Sequence, residues 1–123
     1  MNRKTTMIKK KTDMQREPLP ECHGGKGALD WTNVLENKDL KGRRLKFWHD
    51  NILEPGVSIG VHQHKDDEEY YYIIDGEGTM TLDDKTFTVQ PGDITAVYPG
   101  GYHGLENTGS EPMRIIVVSV SDQ

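Results

Sequence analysis

From about residue 27 onward, the chain is a succession of short runs in which apolar and polar residues alternate, separated by Gly, Pro, Asp and Asn. A period of two is typical of strands with one buried face, and the separating residues are those that form turns. Apart from one turn within 33–39, no run has a helical period. The predicted strands are Trp31–Leu35, Leu45–Leu53, Val57–His64, Tyr70–Ile74, Gly78–Leu82, Thr86–Val89, Ile94–Val97, His103–Glu106 and Met113–Val120. The sequence therefore predicts an all-β fold, a small antiparallel β-barrel or jelly roll.

The distribution of charge divides the chain into two parts. The formal net charge is −5, but residues 1–20 carry six Lys and Arg against two Asp and Glu. We expect a basic, partly disordered segment over 1–20 and a single β-barrel domain over 21–123, which is long enough to bury one core. The basic segment is interpreted as a solvated tail, the alternative being an arm for nucleic acid or anionic lipid. Because the body is acidic and repels phosphate backbones, we expect no nucleic-acid partner.

Cysteine usage and hydropathy indicate a cellular compartment. Cys22 is the one cysteine, so no intramolecular disulfide can form. The first twenty residues contain no apolar run of signal-peptide length, and no stretch could span a bilayer. We therefore expect a cytoplasmic protein with no membrane partner.

A group of histidines and one carboxylate carries the chemistry that the sequence indicates. His62 and His64 are two residues apart, which points both side chains to one face of an extended strand. Glu69 and His103 follow at greater distance. Imidazoles and a carboxylate suit a divalent first-row metal, with Fe, Mn, Zn, Ni and Cu all compatible. The alternative to metal binding is that His62 and His64 form the polar face of an exposed strand and that Glu69 belongs to an acidic run.

The glycines and histidines fall into two blocks with regular spacing. The first runs from Gly56 through His62, His64 and Glu69 to Gly76; the second comprises Gly92-Asp93, Gly100, His103 and Asn107. These blocks resemble the paired motifs of the cupin superfamily, G(x)5HxH(x)3-4E(x)6G and G(x)5PxG(x)2H(x)3N, except that the proline stands one place late, at Pro99. The resemblance implies one metal ion held by three histidines and a glutamate, and a small single-domain protein that forms homodimers through outer-sheet contacts and exchanged N-terminal strands.

Strand parity predicts which side chains face the interior. With the histidines inside, Ser58, Gly60, Tyr71 and Ile73 also point inward. The outward set is then Val57, Ile59, Val61, Tyr70, Tyr72 and Ile74. A surface this apolar should be covered by N-terminal strands or by a second subunit. Strand parity therefore also predicts a homodimer. The alternative is that the three tyrosines are merely good strand formers.

Candidate catalytic residues are the tyrosines near the predicted site. Tyr71, Tyr98 and Tyr102 could offer hydroxyl groups to a ligand, and Gly60 would leave space beside the metal. His49 and Glu106 are further candidates for proton transfer, although a position at the rim or an interface is favoured for His49. Cys22 and His23 lie outside both blocks and are not expected to be ligands.

Three classes of function remain open at this stage. The first is a metal-dependent dioxygenase, decarboxylase or isomerase acting on a small oxygen-rich molecule such as a carboxylate, keto-acid or sugar. The second is a non-catalytic module that binds such a molecule, and the third is a structural β-sandwich that keeps the motif without the metal. The complete set of four ligands favours the enzyme, although the fold alone does not decide.

Overall fold

The structure is a computed structural model that describes residues 5–42 and 44–121. Its strands are β1 (Gln15–Pro20), β2 (Ala28–Leu35), β3 (Leu45–Leu53), β4 (Ser58–Gln63), β5 (Asp67–Asp75), β6 (Gly78–Leu82), β7 (Lys85–Val89), β8 (Ile94–Val97), β9 (Tyr102–Glu106) and β10 (Met113–Ser121). They form a six-stranded sheet of order β1-β2-β3-β10-β5-β8 and a four-stranded sheet of order β4-β9-β6-β7. Every pairing is antiparallel. The predicted all-β jelly roll is therefore confirmed.

Short 3-10 turns at Lys11–Asp13, Cys22–Gly24 and Asn37–Asp39 complete the described elements. The last of these falls within the turn predicted from the sequence. Among the described residues, no helix has the length and apolar character that crossing a membrane requires.

Strand β1 was not predicted, because the sequence analysis assigned its residues to the basic tail. It contains Pro18 and Pro20, which cannot donate hydrogen bonds to a neighbouring strand. Prolines are tolerated here because β1 lies at the edge of its sheet and pairs with β2 alone. The ordered sheet therefore begins before residue 21, the boundary predicted from the sequence.

The hydrophobic core lies between the two sheets. On β5, Tyr71 and Ile73 are buried while Tyr72 is 45% exposed, as the predicted alternation requires. Each facing sheet contributes apolar side chains to the same cluster, which includes Leu29, Leu53, Ile59, Met80, Leu105, Met113, Ile115 and Val117. A core so distributed holds both sheets in register around one interior.

A β-bulge in β4 overturns part of the predicted parity. The pairing with β9 joins Ile59 to Leu105 and His62 to His103, so three residues on β4 oppose two on β9. The extra residue turns Ile59 to the same side as His62, and Ile59 is only 3% exposed. Its predicted outward position was therefore wrong, because strict alternation does not hold across a bulge.

The predicted outward patch is also divided between the sheets. Val61, 56% exposed, belongs to the four-stranded sheet, whereas Tyr72 belongs to the six-stranded one. Exposed apolar side chains near Tyr72 on the larger sheet include Trp48, at 37%. Any surface that needs covering is thus the outer face of the larger sheet rather than one patch spanning β4 and β5.

Candidate metal centre

Three strands and one strand end bring the four predicted ligands together. His62 on β4 pairs directly with His103 on β9, and Glu69 lies on β5 in the opposite sheet. His64 follows β4, and its backbone is fixed by bonds from its N–H to the Gly101 carbonyl, 3.0 Å, and from the Gly100 N–H to its own carbonyl, 2.7 Å. One ligand atom from each of the four side chains lies within 4.8 Å of the others.

The distances within this cluster suit a single ion. The Nε2 atoms of His62 and His64 are 3.1 Å apart, those of His64 and His103 3.1 Å, and those of His103 and His62 3.2 Å. Glu69 Oε1 lies 3.2 Å from Nε2 of His103 and 3.5 Å from Nε2 of His64. Ligand atoms bound to one ion at about 2.1 Å are separated by roughly 3.0–3.4 Å. The three histidines would therefore hold one ion between them.

Hydrogen bonds to the opposite ring nitrogens fix two of the imidazoles. His62 Nδ1 lies 2.7 Å from the Gly60 carbonyl oxygen, and His64 Nδ1 lies 2.9 Å from Asp67 Oδ1. Because these acceptors require a proton on Nδ1, they leave the Nε2 lone pairs directed at the common point. The third ring, that of His103, is fully buried and its Nδ1 has no partner among the described residues.

Asp67 orients His64 from behind and is itself held. Its Oδ2 accepts a hydrogen bond from Ser119 Oγ at 2.5 Å, and Lys46 Nζ lies 3.8 Å away. Burial alone would raise the pKa of Asp67, but the bonds from Ser119 and His64 outweigh it and lower that pKa below its usual value. The carboxylate is thus charged at neutral pH and makes the imidazole a more basic ligand.

The protonation state of His62 suits a cation. Burial lowers the pKa of His62 to about 4, so the ring is neutral and its lone pair is available at neutral pH. Imidazole nitrogens and a carboxylate oxygen form a donor set suited to a divalent first-row ion. His62, His64, Glu69 and His103 would hold such an ion, which would supply positive charge and open positions for a ligand's oxygens.

A small cavity adjoins the Glu69 side of this cluster. Its volume is about 230 Å³, and its polar lining comprises Cys22, His23, His49, Asn51, Glu69 and Tyr71. Asn51 is 4% exposed and its Oδ1 has no hydrogen-bond partner within the described residues. The remaining wall is apolar and includes Trp31, Phe47, Ile59 and Val117. We call this small, partly open cavity the chamber; its wall combines polar and apolar side chains.

The 3-10 turn Cys22–Gly24 closes one side of the chamber, where the sequence analysis placed nothing. The ring of His23 stacks on that of His62, with centroids 3.5 Å apart and planes 10° apart. His23 itself has a left-handed backbone, with φ of 50°. The sequence analysis predicted that Gly60 leaves space for a ligand. A side chain on Gly60 would instead overlap the carbonyl group of His23, so the space is occupied by this turn.

The three predicted catalytic tyrosines have different positions. Tyr71 is 2% exposed and lines the chamber, and its ring lies tilted by 39° against that of His103, with centroids 4.7 Å apart. Burial, together with the nearby Glu69, raises its pKa well above the usual value, so its hydroxyl remains protonated. Tyr98 and Tyr102 are 58% and 46% exposed and line a separate surface cleft with Asp83. Tyr102 precedes the inward His103 on β9 and so faces outward, and Tyr98 follows the end of β8.

Sequence reasoning missed some of the groups around the site. Asp67 was treated as part of an acidic run, although its spacing of three from His64 could have marked it as an orienting partner. His23 lies far from the ligands in sequence, and no local pattern indicated its contact. His49 was favoured as a rim or interface residue, and it lines both the chamber and the adjoining surface cleft.

Comparisons with known proteins agree with this architecture. The chain is 28% identical over 120 residues to the oxalate-binding protein of Thermotoga maritima, covering 98% of both chains. It is 30% identical over 115 residues to an oxalate decarboxylase of Bacillus subtilis, covering 89% of this chain but 28% of that protein. The crystal structure of a predicted oxalate decarboxylase from Thermotoga maritima superposes with a TM-score of 0.87 at 27% identity, covering 94% of this chain and 99% of the other.

The family model described as a cupin domain matches residues 51–119, more than half of the chain. That range contains all four candidate ligands and both blocks of regularly spaced glycines and histidines. Together with the two antiparallel sheets, this match shows that the chain belongs to the cupin family.

Proposed function

We propose that this protein binds a small dicarboxylate, with oxalate as the expected ligand, at a divalent metal ion held by His62, His64, Glu69 and His103. The observation that carries the proposal is the convergence of four ligand atoms beside a small chamber of about 230 Å³. The native ion is one of Fe, Mn, Zn, Ni and Cu, between which the donor set does not discriminate.

The size of the chamber supports a ligand of few atoms. Pockets for drug-sized molecules typically measure roughly 300–1,000 Å³, and this chamber lies below that range. Short oxygen ligands that chelate through two atoms therefore suit it better than a sugar. The full-length similarity to an oxalate-binding protein gives independent support for this ligand class.

The chain's own side chains would complete the binding. Tyr71 keeps its hydroxyl proton and can donate it to a ligand oxygen. The apolar surfaces of Trp31 and Val117 reduce the access of water, which strengthens this polar contact. Binding of a small anion is thus supported by the positive charge of an ion and by one neutral donor.

Decarboxylation of oxalate is the second candidate, favoured by the similarity to an oxalate decarboxylase. That reaction breaks the carbon–carbon bond, releases carbon dioxide and requires one proton on the remaining carbon to give formate. Glu69 is the one carboxylate in the described lining of the chamber, and it belongs to the metal set. A proton donor would then have to be Tyr71 or a histidine, which favours binding over turnover.

Calorimetry on one preparation tests the proposal. Metal-free protein is loaded with Mn²⁺ and titrated with oxalate, acetate and succinate; oxalate should bind at least tenfold more tightly than either. Glu69→Gln should weaken both Mn²⁺ and oxalate binding, whereas Glu68→Gln, the same change at the next residue, should not, because Glu68 contacts Tyr70 instead.

Two results would change the conclusion. Equal oxalate binding by metal-free and metal-loaded protein would refute the proposal and favour a structural role for the motif. Release of formate and carbon dioxide from oxalate by the loaded protein would establish the enzymatic alternative in place of simple binding.

A further inference from the structure

We propose that His49 takes up a proton when a dicarboxylate binds at the metal centre and then holds the ligand's outer oxygens, which makes the site selective for a dianion. This inference rests on the proposed function and assigns a task to a residue that the metal cluster does not use.

The sheet places His49 across the chamber from the cluster. His49 on β3 pairs with Val117 on β10, and Val117 pairs with Tyr71 on β5. The three residues therefore form one row, in which the two outer members are separated by about 10 Å, twice the usual strand spacing. Val117, the central member, forms the floor between His49 and Tyr71, and all three line the chamber.

Two aromatic rings hold the imidazole in place. Phe47 stacks on it at 4.2 Å with planes 14° apart, and Trp31 meets it edge to face at 5.1 Å. These contacts fix the ring without engaging its nitrogens, and no hydrogen bond of the His49 side chain is found among the described residues. Aromatic faces also attract a cation, so this clamp suits an imidazolium as well as a neutral ring.

The charges in the chamber require a proton for a dianion. A divalent ion and Glu69 sum to one positive charge, so a monoanionic ligand gives neutrality while a dianion leaves one negative charge uncompensated. The described lining contains no lysine or arginine. An unpaired charge in a water-poor site is costly, and a histidine that gains a proton removes it.

The groups facing His49 determine when that proton arrives. On the chamber side they are Glu69 and Tyr71 on β5 and Cys22 and His23 on the 3-10 turn; β2 and β10 contribute only uncharged side chains. His49 also lines an adjoining surface cleft, whose charged groups are Glu36, Lys38 and Lys46. Burial lowers the pKa of His49 to about 4, opposed by Glu69, so the ring is neutral at pH 7 without a ligand. A dianion raises this pKa, so between about 4 and the new value each ligand brings one proton with it. Affinity should therefore fall as the pH rises through that window.

Calorimetry of the Zn²⁺-loaded protein in buffers of different ionisation enthalpy measures this proton directly. At pH 6.5, oxalate should bind with uptake of about one proton and glycolate, a monoanion, with none. Oxalate affinity should fall by about tenfold per pH unit, as coupling to one proton requires. In His49→Gln and His49→Phe, the second of which preserves the aromatic stack, oxalate should bind without proton uptake and with a flat pH profile.

The matched control is Trp48→Phe, which changes the ring residue next to His49 on the outer face of β3 and leaves the described lining of the chamber intact. It should retain the proton uptake. Oxalate binding with no proton uptake, or uptake that survives in both His49 variants, would overturn the inference and leave the binding function standing. Absence of oxalate binding by the loaded wild type would overturn both.

Discussion

Replacing Asp67 by Asn should affect the orientation of the candidate metal ligand His64 more than it affects the stability of the fold. Asp67 accepts hydrogen bonds from His64 Nδ1 at 2.9 Å and from Ser119 Oγ at 2.5 Å. An amide offers a single acceptor oxygen to these two donors, but the Ser119 hydroxyl can rotate and accept a bond from the amide nitrogen. His64 would then keep a bond to the amide oxygen but lose the negative charge behind its ring.

The expected loss is larger for metal binding than for folding. Removing a partner that orients a ligand typically costs 10–100-fold in metal affinity, or about 1.4–2.7 kcal/mol. The metal-free protein exchanges a charged hydrogen bond for a neutral one, which should cost about 1 kcal/mol. Because the pKa of Asp67 is lowered in the fold, its stabilising contribution is present at neutral pH and is lost as the pH falls through that lowered value. The variant should therefore lose less stability on acidification than the wild type.

Two measurements test this reasoning. Competition with a chromophoric chelator gives the Zn²⁺ affinity, and urea unfolding in the presence of a chelator gives the stability of the metal-free protein. Asp66→Asn is the matched control, since it removes the same charge from the neighbouring exposed position. A Zn²⁺ affinity of Asp67→Asn within twofold of the wild type, or an equal loss in the control, would refute the orienting role.

Three further outcomes are expected. Gly60→Ala should displace the turn that carries His23, since its new methyl group overlaps that backbone; the loss of stability, several-fold larger than for Gly42→Ala in open space, can be read from urea midpoints. The outer face of the larger sheet should form a homodimer interface that buries more than about 1,000 Å². Sedimentation should show monomers or aggregates for Tyr72→Asp. A wild-type protein that sediments as a monomer at micromolar concentration would contradict the prediction. Burial lowers the pKa of His49 to about 4 in the folded protein, whereas the unfolded chain takes up this proton near pH 6.5. The metal-free protein should therefore lose stability as the pH falls from about 6.5 to about 4, and this loss should be less steep in His49→Phe.

The sequence was sufficient for the features that depend on local spacing. His62 and His64 share a face because they are two residues apart, and turn residues delimit most strands well. The convergence of Glu69 and His103 on the same point came from a family resemblance, since no local rule relates residues on different strands. That these four side chains bind an ion stays a prediction.

What could not be predicted depends on contacts between distant parts of the chain. The edge strand β1 contains two prolines, which are tolerated because β1 pairs with β2 on one side and has no partner strand among the described residues on the other. The stacking of His23 on His62 joins residues 39 positions apart through a left-handed turn. Tyr98 and Tyr102 line a surface cleft apart from the chamber, and no local pattern indicates which tyrosines lie beside the cluster. Their catalytic role stays a prediction.

The bulge in β4 explains why the ligands could be located although the faces of the strand could not. It lies before His62, so it leaves the spacing of the two histidines intact while it reverses the side on which Ile59 lies. The same irregularity takes Gly60 out of the pairing with β9, and its carbonyl is then available to accept the hydrogen bond from His62 Nδ1 at 2.7 Å. Gly60 itself carries no side chain, which admits the His23 turn. The departure from ideal strand geometry thus orients one candidate ligand and brings the apolar Ile59 into the wall of the chamber.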